Sequence, residues 1–250
     1  MMIKFFDRFE IKYLIDREQY QRMTGVLAEY MQPDRQGDRP DRYRVTSLYY
    51  DTVDYRAYWD KIEGHRFRRK VRIRIYGEQP VTEETACFTE IKQRINKTLQ
   101  KKRAVMSYHS ALALCGAGAE IPEELSDRDQ AVANEIRYLQ HTLQLQPACL
   151  VSYDRLAFNG NEYDPGLRVT FDTDLKGRSR NLSLLTAAAG ESQYVIAPQW
   201  CIMEVKANRR VPFWLTKLVN QQGCTLRRIS KYCAALEQSK ILLKTQRITQ

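Results

Sequence analysis

Three short segments of the chain carry one signature: Glu10-Ile11-Lys12, Glu90-Ile91-Lys92 and Glu204-Val205-Lys206. Residues two apart on a β-strand point to the same face of a sheet. Each segment therefore sets a carboxylate beside an ammonium on one face and an aliphatic residue on the other. Arg72-Ile73-Arg74-Ile75 keeps the alternation, with Arg68 and Lys70 leading in, and Arg168-Val169-Thr170-Phe171-Asp172 repeats it. An antiparallel sheet with one face in water also alternates apolar and charged residues. Here, though, Arg and Lys recur with interspersed Glu on at least five strands, and helical segments between them need an apolar surface to pack on. Turning the apolar face outward onto helices and the charged face inward satisfies both. The expected fold is α+β: an eight-stranded antiparallel β-barrel with a charged interior, surrounded by helices.

Strands are expected over 4–15, 43–51, 66–76, 85–94, 100–108, 149–158, 167–175 and 193–206. Asn96-Lys97 marks the bend of one hairpin and Asn159-Gly160-Asn161 that of another. Asp16 with Gln19 three residues on resembles a capping box and predicts a helix over 17–31. Further helices are expected over 53–62 (or a turn), over 109–146 with an interruption at 116–118, and over 211–220 and 225–238, separated by Gly223. No Pro/Gly/Ser-rich linker divides the chain, so a single domain over 1–250 is expected.

Lys plus Arg number 40 against 30 for Asp plus Glu, a formal net charge of +10. That excess favours anionic partners: nucleic acid, an acidic membrane surface or phosphorylated small molecules. No apolar run reaches the length of a membrane span, and the early charge at Lys4 argues against a signal peptide. Six scattered cysteines form no C-x-x-C pair and read as reduced thiols of a cytoplasmic protein. His65, His109 and His141 are not spaced as a zinc site needs.

An inward ring of cations cannot stand empty. Desolvating each unpaired charge costs on the order of several kcal/mol, and the carboxylates are too few to match every cation. A bound anion with water must supply the balance. A triphosphate or polyphosphate chain suits such a tunnel, because Arg clasps phosphate oxygens bidentately. Tyr49, Tyr50, Tyr55, Tyr58 and Trp59 could form a stacking platform for single-stranded nucleic acid. We read them instead as packing between sheet and helix, and nucleic acid is not the expected partner. In Lys101-Lys102-Arg103, Lys102 faces opposite to its neighbours. One cation inside and two in solvent is one reading, a wholly solvated basic run the other.

The segments RFEIKYLI (8–15), SLYYDT (47–52), KVRIRIYG (70–77), FTEIKQRINKTLQKKR (88–103), VSYDRLAF (151–158), LRVTFDTDL (167–175), CIMEVKA (201–207) and RRISKYCAAL (227–236) together resemble the VTC polyphosphate polymerase domain. That domain is part of the triphosphate tunnel metalloenzyme, or CYTH-like, superfamily. The resemblance implies a tunnel that binds ATP and a growing polyphosphate chain with Mn²⁺ or Mg²⁺. It also implies transfer of the ATP γ-phosphoryl group to the chain end with release of ADP. Carried onto this sequence, it implies that Glu10, Lys12, Arg72, Arg74, Glu90, Lys92, Lys102, Tyr153, Arg155, Arg168, Lys206, Ser230 and Lys231 line the phosphate path. Arg72, Arg74, Lys92 and Lys231 would act on the transferring group, and Glu204 would carry the metal. Hydrolases of the superfamily have E-x-E-x-K on the first strand; here Arg8 stands at the first acidic position. One carboxylate fewer favours transfer or binding over hydrolysis. A triphosphatase or nucleotide hydrolase of the same superfamily, and a non-enzymatic polyphosphate or nucleic-acid binding module, are the alternatives. No membrane segment is read, so coupling to transport would need a separate membrane partner.

Overall fold

The computed structural model describes residues 8–34, 42–96, 98–121, 124–185, 192–208 and 210–240. Its strands are β1 (Arg8–Asp16), β2 (Gln32–Pro33), β3 (Arg42–Asp51), β4 (Phe67–Tyr76), β5 (Ala86–Ile95), β6 (Thr98–Ser107), β7 (Gln146–Asn159), β8 (Arg168–Arg178), β9 (Gln193–Tyr194), β10 (Trp200–Asn208) and β11 (Thr225–Leu226). Its helices are α1 (Arg17–Tyr30), α2 (Arg56–Ile62), α3 (Tyr108–Ala117), α4 (Asp127–Leu143), α5 (Phe213–Gln221) and α6 (Lys231–Gln238). Positions 4–7 of the first expected strand and Lys97 lie outside the described residues.

Local signals explain most boundaries. The Asp16 carboxylate accepts from the Gln19 backbone N–H at 2.7 Å, and the Gln19 side chain accepts from the Asp16 N–H at 3.0 Å. The reciprocal cap opens α1 where the sequence predicts. Gly118, with φ of 67°, caps α3 in the left-handed region. A Cβ there would also meet the His141 ring at 2.9 Å. Two expectations are refined. The stretch 193–206 breaks into β9 and β10, and 225–238 into β11 and α6.

The chain forms two compact units, each assembled from separate segments, and β3, β7 and β8 contribute to both. In the first unit the strand order is β11-β1-β10-β8-β7, with β2 paired to β7. Met23 and Leu27 of α1 and Leu215 and Val219 of α5 pack on Val169 and Phe171 of β8 and Met203 and Val205 of β10. In the second the order is β7-β3-β4-β5-β6, with β9 paired to β8. There Ala111 and Leu114 of α3 and Ile136 and Leu139 of α4 pack on Ile73, Ile91 and Met106. Burying one such aliphatic side chain contributes roughly 1.5–3 kcal/mol. Both units thus turn the apolar strand face to helices, as the alternation predicts.

The closed barrel is corrected. The fold is α+β with a large antiparallel sheet of eight long and three two-residue strands among the described residues. Its strand order is open. Closure needs the edge strands to pair; among the described residues β6 pairs only with β5, and β11 offers two residues to β1. Among the described residues no helix is long and apolar enough to cross a membrane.

Candidate functional site

Register sets the charged face of the second unit. Three cross-strand rows run over β4, β5 and β6: Lys70-Lys92-Lys101, Arg72-Glu90-Arg103 and Arg74-Phe88-Val105. Tyr49 and Ser47 of β3 extend the second and third rows. Glu90 is fully buried and carries the centre. Its Oε2 accepts from Arg72 Nε at 2.7 Å and Nη2 at 2.6 Å, and its Oε1 accepts from Arg103 at 2.8 Å with Lys101 at 3.5 Å. Burial alone would raise the Glu90 carboxyl; Arg72, Arg74 and Lys101 outweigh it and hold it well below the usual carboxylate range. Arg72 also donates to the Tyr49 hydroxyl at 3.0 Å, and Arg74 to the Ser47 hydroxyl at 2.9 Å. Burial would raise the Tyr49 phenol as well, but Arg72, Arg74 and Lys70 bring it down to about 8.

The charged face of the first unit is built differently. Lys12 Nζ bridges Glu10 at 3.0 Å and Glu204 at 3.2 Å, and Lys206 binds the other Glu204 oxygen at 2.5 Å. Burial would lower the Lys12 ammonium; Glu204 and Glu10 more than offset it and hold the charge on. Arg155 makes a bidentate pair with buried Asp172 at 2.7 and 2.9 Å and donates to the Tyr153 hydroxyl at 3.3 Å. Arg168 is taken by Asp34 at 2.6 Å, Asn159 at 2.8 Å and Tyr43 at 3.3 Å. Lys12 also reaches the Ile229 carbonyl at 3.5 Å, one residue before Ser230. Lys231, next in the chain, opens α6.

The expected residues therefore fall into two groups. Arg72, Arg74, Glu90 and Lys92 share the second unit's face; Glu10, Lys12, Glu204 and Lys206 share the first unit's. Lys102 departs from its expected place. It lies opposite Ile91, on the helix side of the sheet, and pairs with Glu135 of α4 at 2.6 Å. Lys101 and Arg103 take the position beside Glu90 instead. Ile95 pairs with Thr98, and counting back from that pair puts Lys101 opposite Lys92. Tyr49, read as core packing, is buried but aims its hydroxyl at Arg72.

Among the described residues no three His, Cys, Asp or Glu side chains gather as a metal cage. Glu10 and Glu204 do converge on one ammonium. Two carboxylates fit a divalent ion that draws its other ligands from phosphate and water.

An α+β fold with one strand face on helices and the other crowded with ion-paired arginine, lysine and glutamate defines the class of protein. A family model, the VTC domain, matches residues 7–240, and the chain belongs to that family. Among solved structures, a Bacillus halodurans protein provisionally assigned as an adenylate cyclase is similar in fold, with a TM-score of 0.51 and 16% identity over 88% of this chain and 92% of that one. PH1819 from Pyrococcus horikoshii gives a TM-score of 0.46 and 14% identity over 92% and 99%. Comparison with curated protein sequences gives no match.

Proposed function

We propose that the protein is a metal-dependent phosphotransferase that moves the ATP γ-phosphoryl group onto a polyphosphate chain and releases ADP. One observation carries this reading. In the three rows over β4, β5 and β6, six cationic side chains share the face with one carboxylate, and Lys92 stands opposite both Lys70 and Lys101. Like charges facing across strands destabilise a sheet. An anion with several closely spaced charges removes that cost, and a phosphate chain has that form.

Phosphoryl transfer asks for positioning and for charge stabilisation on the equatorial oxygens. Arg72 and Arg74 would hold those oxygens, Lys92 the neighbouring phosphate, and Lys231 the chain end that accepts. Lys12, Tyr153, Arg155, Arg168, Lys206 and Ser230 are proposed as further phosphate contacts. The divalent cation supplies Lewis-acid polarisation of a phosphoryl oxygen when bound. Glu204, helped by Glu10, would hold it once phosphate oxygens draw Lys12 and Lys206 off those carboxylates. None of the six cysteines is joined in a disulfide, which is in keeping with a reducing compartment such as the cytoplasm.

The test is incubation with ATP and Mn²⁺ or Mg²⁺, following ADP, orthophosphate and polymer separately. ADP with lengthening polymer is expected. Orthophosphate without polymer would replace the reading with a hydrolase, and tight tripolyphosphate binding without turnover would replace it with a binding module.

A further inference from the structure

Beside α2 the second unit holds a cavity of about 170 Å³. Val71 of β4, Tyr50 of β3, Leu139 and Leu143 of α4 and Leu145 just beyond that helix give it an apolar wall. Phe67 and Arg69 of β4 line it as well, and Lys70 reaches its lining. Phe67, Arg69 and Val71 alternate along β4 with Arg68, Lys70 and Arg72, so they turn to the helix side of the sheet. The row of Arg72, Glu90 and Arg103 lies on the other side.

Arg69 is the telling member of this lining. Its side chain is half-buried, and its Nε is buried with no hydrogen-bond partner. Its guanidinium carbon lies 4.5 Å from the Phe67 ring centre, a contact that favours the cation but accepts none of its N–H groups. Two carboxylates line the cavity, and both are engaged elsewhere. Asp51 accepts from three backbone N–H groups and from Tyr232, and Asp60 lies 3.1 Å from His65 Nδ1. A guanidinium drawn off water calls for an anionic acceptor. We propose that the cavity is a binding site for a small monocarboxylate whose apolar body is about the size of a benzene ring. The carboxylate accepts from Arg69, and the body lies against Val71 and the leucines. A cavity of about 150 Å³ lined by apolar side chains holds benzene, so the volume fits. A polyphosphate would leave most of its charge against leucine, and a neutral ligand would leave Arg69 without an acceptor. The site is read by binding alone and does not depend on ATP turnover.

The experiment is a methyl NMR titration of the full chain with benzoate, and with benzyl alcohol as its uncharged counterpart. Benzoate should move the methyl signals of Val71, Leu139, Leu143 and Leu145. It should bind wild type about tenfold more tightly than benzyl alcohol, the scale of one charge-assisted hydrogen bond. Arg69→Gln should remove that advantage, weakening benzoate about tenfold and leaving benzyl alcohol unchanged. Equal affinity of wild type for the two probes would overturn the assignment, a reading that stands even where the variant does not fold. Benzoate binding that leaves those four residues unmoved would overturn it too, by placing the carboxylate on the basic face. No response to benzoate at all would reduce the cavity to a packing gap between α4 and β4.

Discussion

The two charged faces use the same residue types to different ends. In the first unit each named cation has its own carboxylate: Lys12 and Lys206 have Glu204 and Glu10, Arg155 has Asp172, and Arg168 has Asp34. In the second, Arg72, Arg103 and Lys101 all converge on Glu90, and Arg74 turns to a serine hydroxyl. A matched network is content without ligand. A crowded one stores repulsion that a bound anion relieves. In the first unit the ion pairs tie neighbouring segments to one another one to one; in the second, several cations share a single carboxylate.

The comparison breaks most sharply under substitution of the crowded side. Arg72→Ala or Arg74→Ala should lower turnover by about 10²–10³-fold, the scale of losing one group that stabilises transition-state charge. Unfolding should stay cooperative, and its loss in a melting curve would count against the placement. On the matched side, Asp172→Asn strands a buried guanidinium and should cost about 3–5 kcal/mol of stability. In a denaturant titration, tripolyphosphate should leave most of that loss in place. Glu90→Gln should also destabilise, but tripolyphosphate should restore part of the loss; equal behaviour of the two variants would erase the distinction between the faces.

Acid sharpens the contrast further. The Glu90 carboxyl is held below its unfolded value, so its stabilisation is complete above the ordinary glutamate range and fades as pH falls toward its folded value. Glu90→Gln should therefore have a shallower acid limb than wild type in melts taken below about pH 4. The smallest effect belongs to Lys102→Ala. Removing an exposed pair with Glu135 should cost about 0.2–1 kcal/mol and leave tripolyphosphate affinity unchanged, whereas Lys101→Ala should weaken it several-fold in the same titration.

Much of this was legible beforehand because it depends on period. The Glu-Ile-Lys and Arg-Ile-Arg alternations fixed which residues share a face, and the Asp16–Gln19 cap fixed where α1 starts. Parity says only that two residues share a face, not which face it is, and so Lys102 was misplaced while Lys101 and Arg103 were passed over. Whether strands close a ring depends on pairing between distant edges, for which β6 and β11 carry no local mark. Tyr49 reads as one more core aromatic until β4 is set beside it and Arg72 becomes its partner.

Asp51 shows how far one side chain can reach. Its carboxylate accepts from the backbone N–H groups of Thr52, Ala57 and Tyr58 and from the Tyr232 hydroxyl. It therefore ties the first turn of α2 to the start of α6, segments about 180 residues apart in the chain. Amides of the two helices should then exchange with solvent as one cooperative block. Asparagine at 51, with one acceptor oxygen fewer, should split that block, so that α6 exchanges ahead of α2.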